Sequence, residues 1–209
     1  MKNYLAALTA SALICAAPFA VAASSTDLTV TGSITPSACM PLLSGGGHIE
    51  LGKIPVKDLN PNPDRSTRLP KQSMQLTVTC NAATPFALDP TDNKSGTSYD
   101  DPFAFGLGLT DAGEKTGEFW VGIESAQADG QPAVTIMSFD KETPSWAIGN
   151  YIMTGTITSV SASGTPVPLA ATEVAMELSI APFIAPTNSL TLTDEVTIDG
   201  SVTIDVKYL

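Results

Sequence analysis

Val196-Thr197-Ile198-Asp199-Gly200-Ser201-Val202-Thr203-Ile204-Asp205-Val206-Lys207-Tyr208-Leu209 alternates without a break. Val196, Ile198, Gly200, Val202, Ile204, Val206 and Tyr208 take one side, and Thr197, Asp199, Ser201, Thr203, Asp205 and Lys207 the other. A period of two predicts a β-strand with one buried face. A final strand this apolar must be paired on both edges, or it leaves a row of unpaired N–H and C=O groups. A second alternating stretch, Thr26 to Ile34, stands near the other end of the chain. Two such strands predict a subunit that joins its neighbours strand by strand.

Residues 1–22 read as a secretory signal. Lys2 supplies the positive n-region, Leu5 to Val21 carries no charge, and Ala20-Val21-Ala22 fits the small-x-small cleavage rule. The apolar run is short for a membrane span. Acylation at Cys15 is disfavoured by Ile14 beside it. Without those residues 187 remain, enough for one β domain with its own core. The net charge of the whole chain is −11, and loss of Lys2 makes it −12, which disfavours nucleic acid and anionic membranes as partners. The acidic residues are scattered and read as a solvated surface. Sixteen glycines and sixteen prolines suit many short strands separated by turns.

Further alternating stretches run through the middle: Met74 to Cys80, Phe103 to Leu109, Phe119 to Ile123, Val134 to Ile136, Tyr151 to Ile157 and Val174 to Ile180. A short strand is expected near His48–Ile54, and Asp89 to Pro102 reads as a long polar loop. Turn formers such as Gly45-Gly46-Gly47, Asp129-Gly130 and Gly164-Thr165-Pro166 fall between them. No convincing 3.6-residue period appears. The expectation is all-β, an immunoglobulin-like sandwich. In an exported chain the two remaining cysteines, Cys39 and Cys80, are expected to form one disulfide.

Catalysis finds little footing. His48 is the one histidine and stands beside three glycines, so it reads as a surface residue; no His-rich metal site or nucleophile-elbow pattern is present. Asp89, Asp92, Asp100 and Asp101 lack EF-hand spacing and read as a solvated acidic loop rather than a calcium site. Gly106-x-Gly108 lies within a strand pattern and is no phosphate loop. Trp120 and Trp146 have the chemistry to stack on sugar rings, although buried aromatics are commoner. The expectation is no enzyme, no cofactor and no metal.

The ends of the chain carry a more specific pattern. The extension has Thr26, Leu28, Val30, Gly32 and Ile34 on one face, with Gly32 seven residues before Cys39; the cysteine pair follows, and the terminal strand has Tyr208 as its penultimate residue. With the signal peptide, this resembles the pilin subunits of the chaperone–usher pathway, on a divergent branch. The resemblance covers both ends well and the middle poorly. It implies a sandwich lacking its last strand, divided into a signal (1–22), a donor-strand extension (23–36) and a pilin-like domain (37–209). It implies that Thr26, Leu28, Val30, Gly32 and Ile34 insert into the next subunit by β-augmentation. It implies further that Val202, Ile204, Val206 and Tyr208 form the acceptor groove, held first by a periplasmic chaperone. The implied partners are that chaperone, an outer-membrane usher and other pilin subunits, with no nucleic acid and no membrane insertion. The implied place is a cell-surface fimbrium reached through the periplasm, and the implied role is structural, in support of adhesion. The alternative is a sandwich closed within one chain, acting as a free secreted or periplasmic binding module with carbohydrate as its candidate ligand.

Overall fold

Alternation along the chain becomes alternation across a sheet. In the computed structural model, which describes residues 28–31, 38–162 and 164–209, twelve strands form and no α-helix does among those residues. They are β1 (Cys39–Leu43), β2 (Thr67–Arg68), β3 (Gln72–Thr84), β4 (Phe86–Asp92), β5 (Phe105–Gly106) and β6 (Gly117–Ala128). After them come β7 (Gln131–Ser138), β8 (Ala147–Ile148), β9 (Tyr151–Ile152), β10 (Ile157–Ser161), β11 (Ala171–Ile184) and β12 (Val202–Tyr208). Contacts divide the chain into residues 1–34 and residues 35–209. In the first unit, Leu28–Thr31 forms no ladder, and Leu28 and Val30 are exposed.

The second unit is all-β and sandwich-like, with antiparallel neighbours in the order β1-β3-β11-β6-β7-β10-β4-β12. The long strands β3, β6 and β11 form the centre of one sheet. Met74, Leu76, Val78 and Cys80 on β3 point into the core with Val174, Met176, Leu178 and Ile180 on β11 and Phe119, Val121 and Ile123 on β6. The second edge of β6 is tiled in turn by β5, β9 and the start of β7. β7 turns the corner: Ala133 still faces β6, whereas Val134 to Ser138 pair with β10. The β6–β7 hairpin closes on Asp129-Gly130, both at positive φ (49° and 73°), the conformation that a two-residue hairpin turn requires and that favours Asp-Gly. Cys39 and Cys80 lie directly opposite in the β1–β3 register and form the expected disulfide.

Several expected strands differ. His48–Ile54 stays irregular: Ile49, Leu51 and Ile54 pack on the core, but Gly52 at φ 67° breaks the extended path. Of Phe103–Leu109 only Phe105–Gly106 forms a strand, with Leu109 adding a lone bridge to Lys115, because Ala104 to Leu107 are all buried and the segment passes through the interior rather than along one face. Tyr151–Ile157 is split into β9 and β10 by a turn in which Thr156 N–H bonds the Met153 carbonyl and Gly155 takes φ 73°. Asp89 to Asp92 belongs to β4 rather than to a loop. The last ladder begins at Val202, not Val196. Before it, the Asp199 N–H bonds the Leu107 carbonyl, and Gly200 passes so close to β5 and β6 that a Cβ there would lie 2.8 Å from Leu107 and Phe119.

Candidate functional site

The strand order leaves β1 at one end and β12 at the other, and the two ends meet. The Cys39 N–H donates to the Tyr208 hydroxyl at 2.9 Å, tying the start of β1 to the end of β12. From that tie a groove of about 240 Å³ opens along Pro41, Leu42 and Leu43 on one bank and Ile204 on the other, with the core residue Leu76 in its floor and Gly46 at its rim.

Hydrogen-bond parity tells which backbone groups face it. Neighbouring residues of a strand direct their N–H and C=O groups to opposite edges, and antiparallel partners alternate between bonded and non-bonded pairs. The Ser201 carbonyl accepts from Asn93, and the Leu209 N–H donates to Pro85, so the odd-numbered residues of β12 serve the ladder with β4. Val202, Ile204, Val206 and Tyr208 therefore turn their N–H and C=O groups to the other edge, which no described strand pairs. Val202, Ile204 and Val206 also turn their side chains inward, half-buried against the core. These residues thus pack an apolar face on the core while holding out the open polar row, and Ile204 among them lines the groove.

The same parity explains two prolines within strands. Ile204↔Pro90 is a non-bonded pair, so the N–H that Pro90 lacks is not wanted by β12, and β10 reaches β4 only at Leu88. On β1 the Ala38 carbonyl accepts from Asn81, which places Cys39, Pro41 and Leu43 with their backbone groups toward the groove. Of those three, Cys39 has its N–H taken by Tyr208 and Pro41 has none, so Leu43 supplies the one free donor on that bank. The groove is asymmetric: β12 presents a full row of donors and acceptors, and β1 mostly acceptors.

The residues assigned to the acceptor groove from sequence, Val202, Ile204, Val206 and Tyr208, are brought together here on one edge. Of the residues assigned to the donor strand, Leu28 and Val30 are described and exposed (90% and 88%), while Thr26, Gly32 and Ile34 lie outside the described residues. The bank formed by β1 was missed in the sequence, since Met40-Pro41-Leu42-Leu43 does not alternate and carries a proline.

The acidic loop serves structure. Buried Glu118 accepts through Oε2 from the Ser98 hydroxyl and from the Asp100 and Asp101 N–H groups, at 2.9, 3.0 and 3.0 Å. Asp92 accepts from the Lys94 and Gly106 N–H groups, and Asp89 pairs with Lys141. Asp89, Asp92 and the Asp100-Asp101 pair thus have separate tasks, and no cluster of three acidic, histidine or cysteine residues suited to a metal occurs among the described residues. His48 is exposed on an irregular segment. Among the described residues no helix is long and apolar enough to cross a membrane.

An all-β domain with a groove between its first and last strands is the class that fold and site define. A family model described as "Protein of unknown function (DUF1120)" matches residues 28–102. Protein GltF of Escherichia coli (strain K12) is 31% identical over 250 aligned positions, which take in 100% of this chain and 98% of that protein. The chain belongs to the family of GltF.

Proposed function

We propose that the chain is a structural subunit of a chaperone–usher fimbria, polymerising by donor-strand exchange and supporting adhesion. The observation that carries this reading is the open edge of β12, where Ile204 lines an apolar groove, Val202 and Val206 pack half-buried beside it, and the adjacent backbone row is unpaired among the described residues. The strand order supports it. β1-β3-β11-β6 follows the A-B-E-D order of an immunoglobulin sheet, and β4 and β12 take the places of C and F. The position beside F, where G would run, is the groove. A sandwich closed within one chain would have β12 paired on both sides, and among the described residues it is paired with β4 alone.

On this reading the alternating segment Thr26 to Ile34 of a neighbouring subunit fills the groove. Burial of Leu28, Val30 and Ile34 would contribute about 1.5–3 kcal/mol each. Each main-chain bond to β12 would add roughly 0.5–1.5 kcal/mol net. A periplasmic chaperone would occupy the groove beforehand and an outer-membrane usher would receive the subunit. The protein would have no catalytic task and would end on the cell surface.

The test is a chain lacking residues 24–35, purified with its groove open or chaperone-held, and mixed with a peptide spanning Ser25–Pro36. The peptide should bind one to one and raise the melting temperature. A Gly32→Asn peptide should insert much more slowly, because an added side chain against the groove floor typically costs about 1–3 kcal/mol. Equal rates for the two peptides, or no binding by either, would refute the donor-strand reading.

A further inference from the structure

On the outer face of the sheet built by β6 and β11 lies a second cleft, of about 630 Å³, unconnected with the groove residues. It follows from parity along β6. Phe119, Val121 and Ile123 point to the core, so Trp120 and Gly122 face outward. Ala181 and Ser179 of β11 stand opposite Trp120 and Gly122, and Tyr151 of β9 stands opposite Gly122 on the other side. The small residues form a floor. A Cβ on Gly122 would lie 2.8 Å from the Ser179 hydroxyl, so any side chain there would fill the cleft.

Half-buried Trp120 and partly exposed Tyr151 meet edge to face, ring centroids 5.9 Å apart at 74°, and form an aromatic corner. Around it stand polar groups that can bond to hydroxyls. Glu124 is the extra residue of a β-bulge: Ser125 pairs with Glu177 and Ile123 with Leu178, so Glu124 has no partner in the ladder and its carboxylate turns into the cleft. Bulges re-aim side chains in this way beside binding sites. Lys71 Nζ lies 3.4 Å from Glu124, and the neighbouring Ser179 hydroxyl and Lys71 together hold that carboxyl below its ordinary pKa. At the far end the Arg68 guanidinium lies 5.8 Å above the Phe183 ring and has no carboxylate partner among the described residues.

We infer that this cleft is a carbohydrate-binding site selective for an acidic sugar such as a uronic acid. Aromatic rings receive the C–H faces of sugars, planar side chains such as Glu124 and Asn150 take up their hydroxyls, and an unpaired guanidinium suits a carboxylate bidentately. The choice of an acidic sugar rests on charge. In a chain of net charge −11, this cleft joins two cations to a single carboxylate, and that carboxylate already engages Lys71. The site does not depend on the fimbrial reading, since no residue of the β1–β12 groove contributes to it.

The test is calorimetric titration of the intact chain with a tetrasaccharide of alternating glucuronic acid and N-acetylglucosamine, and with the same oligosaccharide carboxyl-reduced to the alcohol. The acidic form should saturate with a Kd on the order of 1 mM or tighter and the reduced form should bind at least about tenfold more weakly, a difference of roughly 1.4 kcal/mol. Arg68→Gln should erase that difference, and Trp120→Ala should abolish binding of both. Trp120→Phe, which keeps a ring, should retain most of the affinity, and its melting curve alongside that of Trp120→Ala shows that both variants fold. Trp120 fluorescence read in a Trp146→Phe background should shift on binding. No saturable binding of the acidic form, equal binding of both forms, or unchanged affinity in Trp120→Ala would overturn the inference.

Discussion

Replacing Tyr208 with Phe isolates a single atom at the place where the first and last strands meet. The hydroxyl accepts the Cys39 N–H at 2.9 Å, and this bond joins the two strands that end the sheet order. The ring stays, so apolar contacts change little. The loss is one hydrogen bond and the stranding of one backbone donor. A net bond is worth about 0.5–1.5 kcal/mol, and a fully buried orphan N–H would cost more, about 1–3 kcal/mol. Tyr208 is 42% exposed, so water reaches the site and the lower range applies. About 1 kcal/mol is expected, a fall in melting temperature of roughly 2–4 °C for a domain of this size. Amide exchange is the sharper assay. Parity places the Cys39 N–H on the groove side of β1, with no ladder partner, so its protection should depend on Tyr208 alone. In Tyr208→Phe that amide should exchange about fivefold faster relative to its neighbours, as expected of a change near 1 kcal/mol. The Met40 amide, on the β3 side, should be unaffected. Equal protection of Cys39 in the two proteins would show that the tie is not formed and that the groove is open at both ends.

Two further perturbations probe the frame that holds the groove. Cys39→Ala with Cys80→Ala releases a covalent link across 41 residues of sequence. It should lower stability by about 3–4 kcal/mol and the melting temperature by roughly 6–16 °C, while a fall under about 2 °C would refute a stabilising bond. Asp129 accepts from the Thr172 hydroxyl and from the Glu173 and Thr172 N–H groups, bonds that hold its carboxyl below its ordinary pKa. A depressed folded value means stability present above about pH 4 and lost as pH falls through that value. Asp129→Asn keeps a residue tolerant of positive φ and removes the charge. The stability gap between wild type and variant should therefore be widest near neutrality and narrow toward pH 3; a gap independent of pH would contradict the assignment.

Much was legible along the chain wherever burial follows a period of two. Met74 to Cys80 and Val174 to Ile180 face the core as their alternation requires, and Asp129-Gly130 turns where its positive-φ tolerance allows. Reading failed where alternation and pairing part company. Ile49, Leu51 and Ile54 pack without a ladder, and Asp89-Pro90-Thr91-Asp92 pairs although it reads as the start of a polar loop. Pro90 fits because parity puts its missing N–H on the side where β10 does not reach, a circumstance fixed by strand neighbours far away in sequence.

By itself the sequence determined the all-β class, the disulfide partners, the inward residues of β12 and the two alternating ends, because these depend on local periodicity and on residue type. The tertiary structure alone decided that β1 ends one side of the sheet order and β12 the other, that Tyr208 ties them, and that Pro41 leaves one bank poor in donors. It alone placed Trp120, Tyr151 and Arg68 around one floor, and turned Glu124 toward them through a bulge. Such features arise from register between strands distant along the chain, and register is set by the packing of whole sheets rather than by any one stretch of residues.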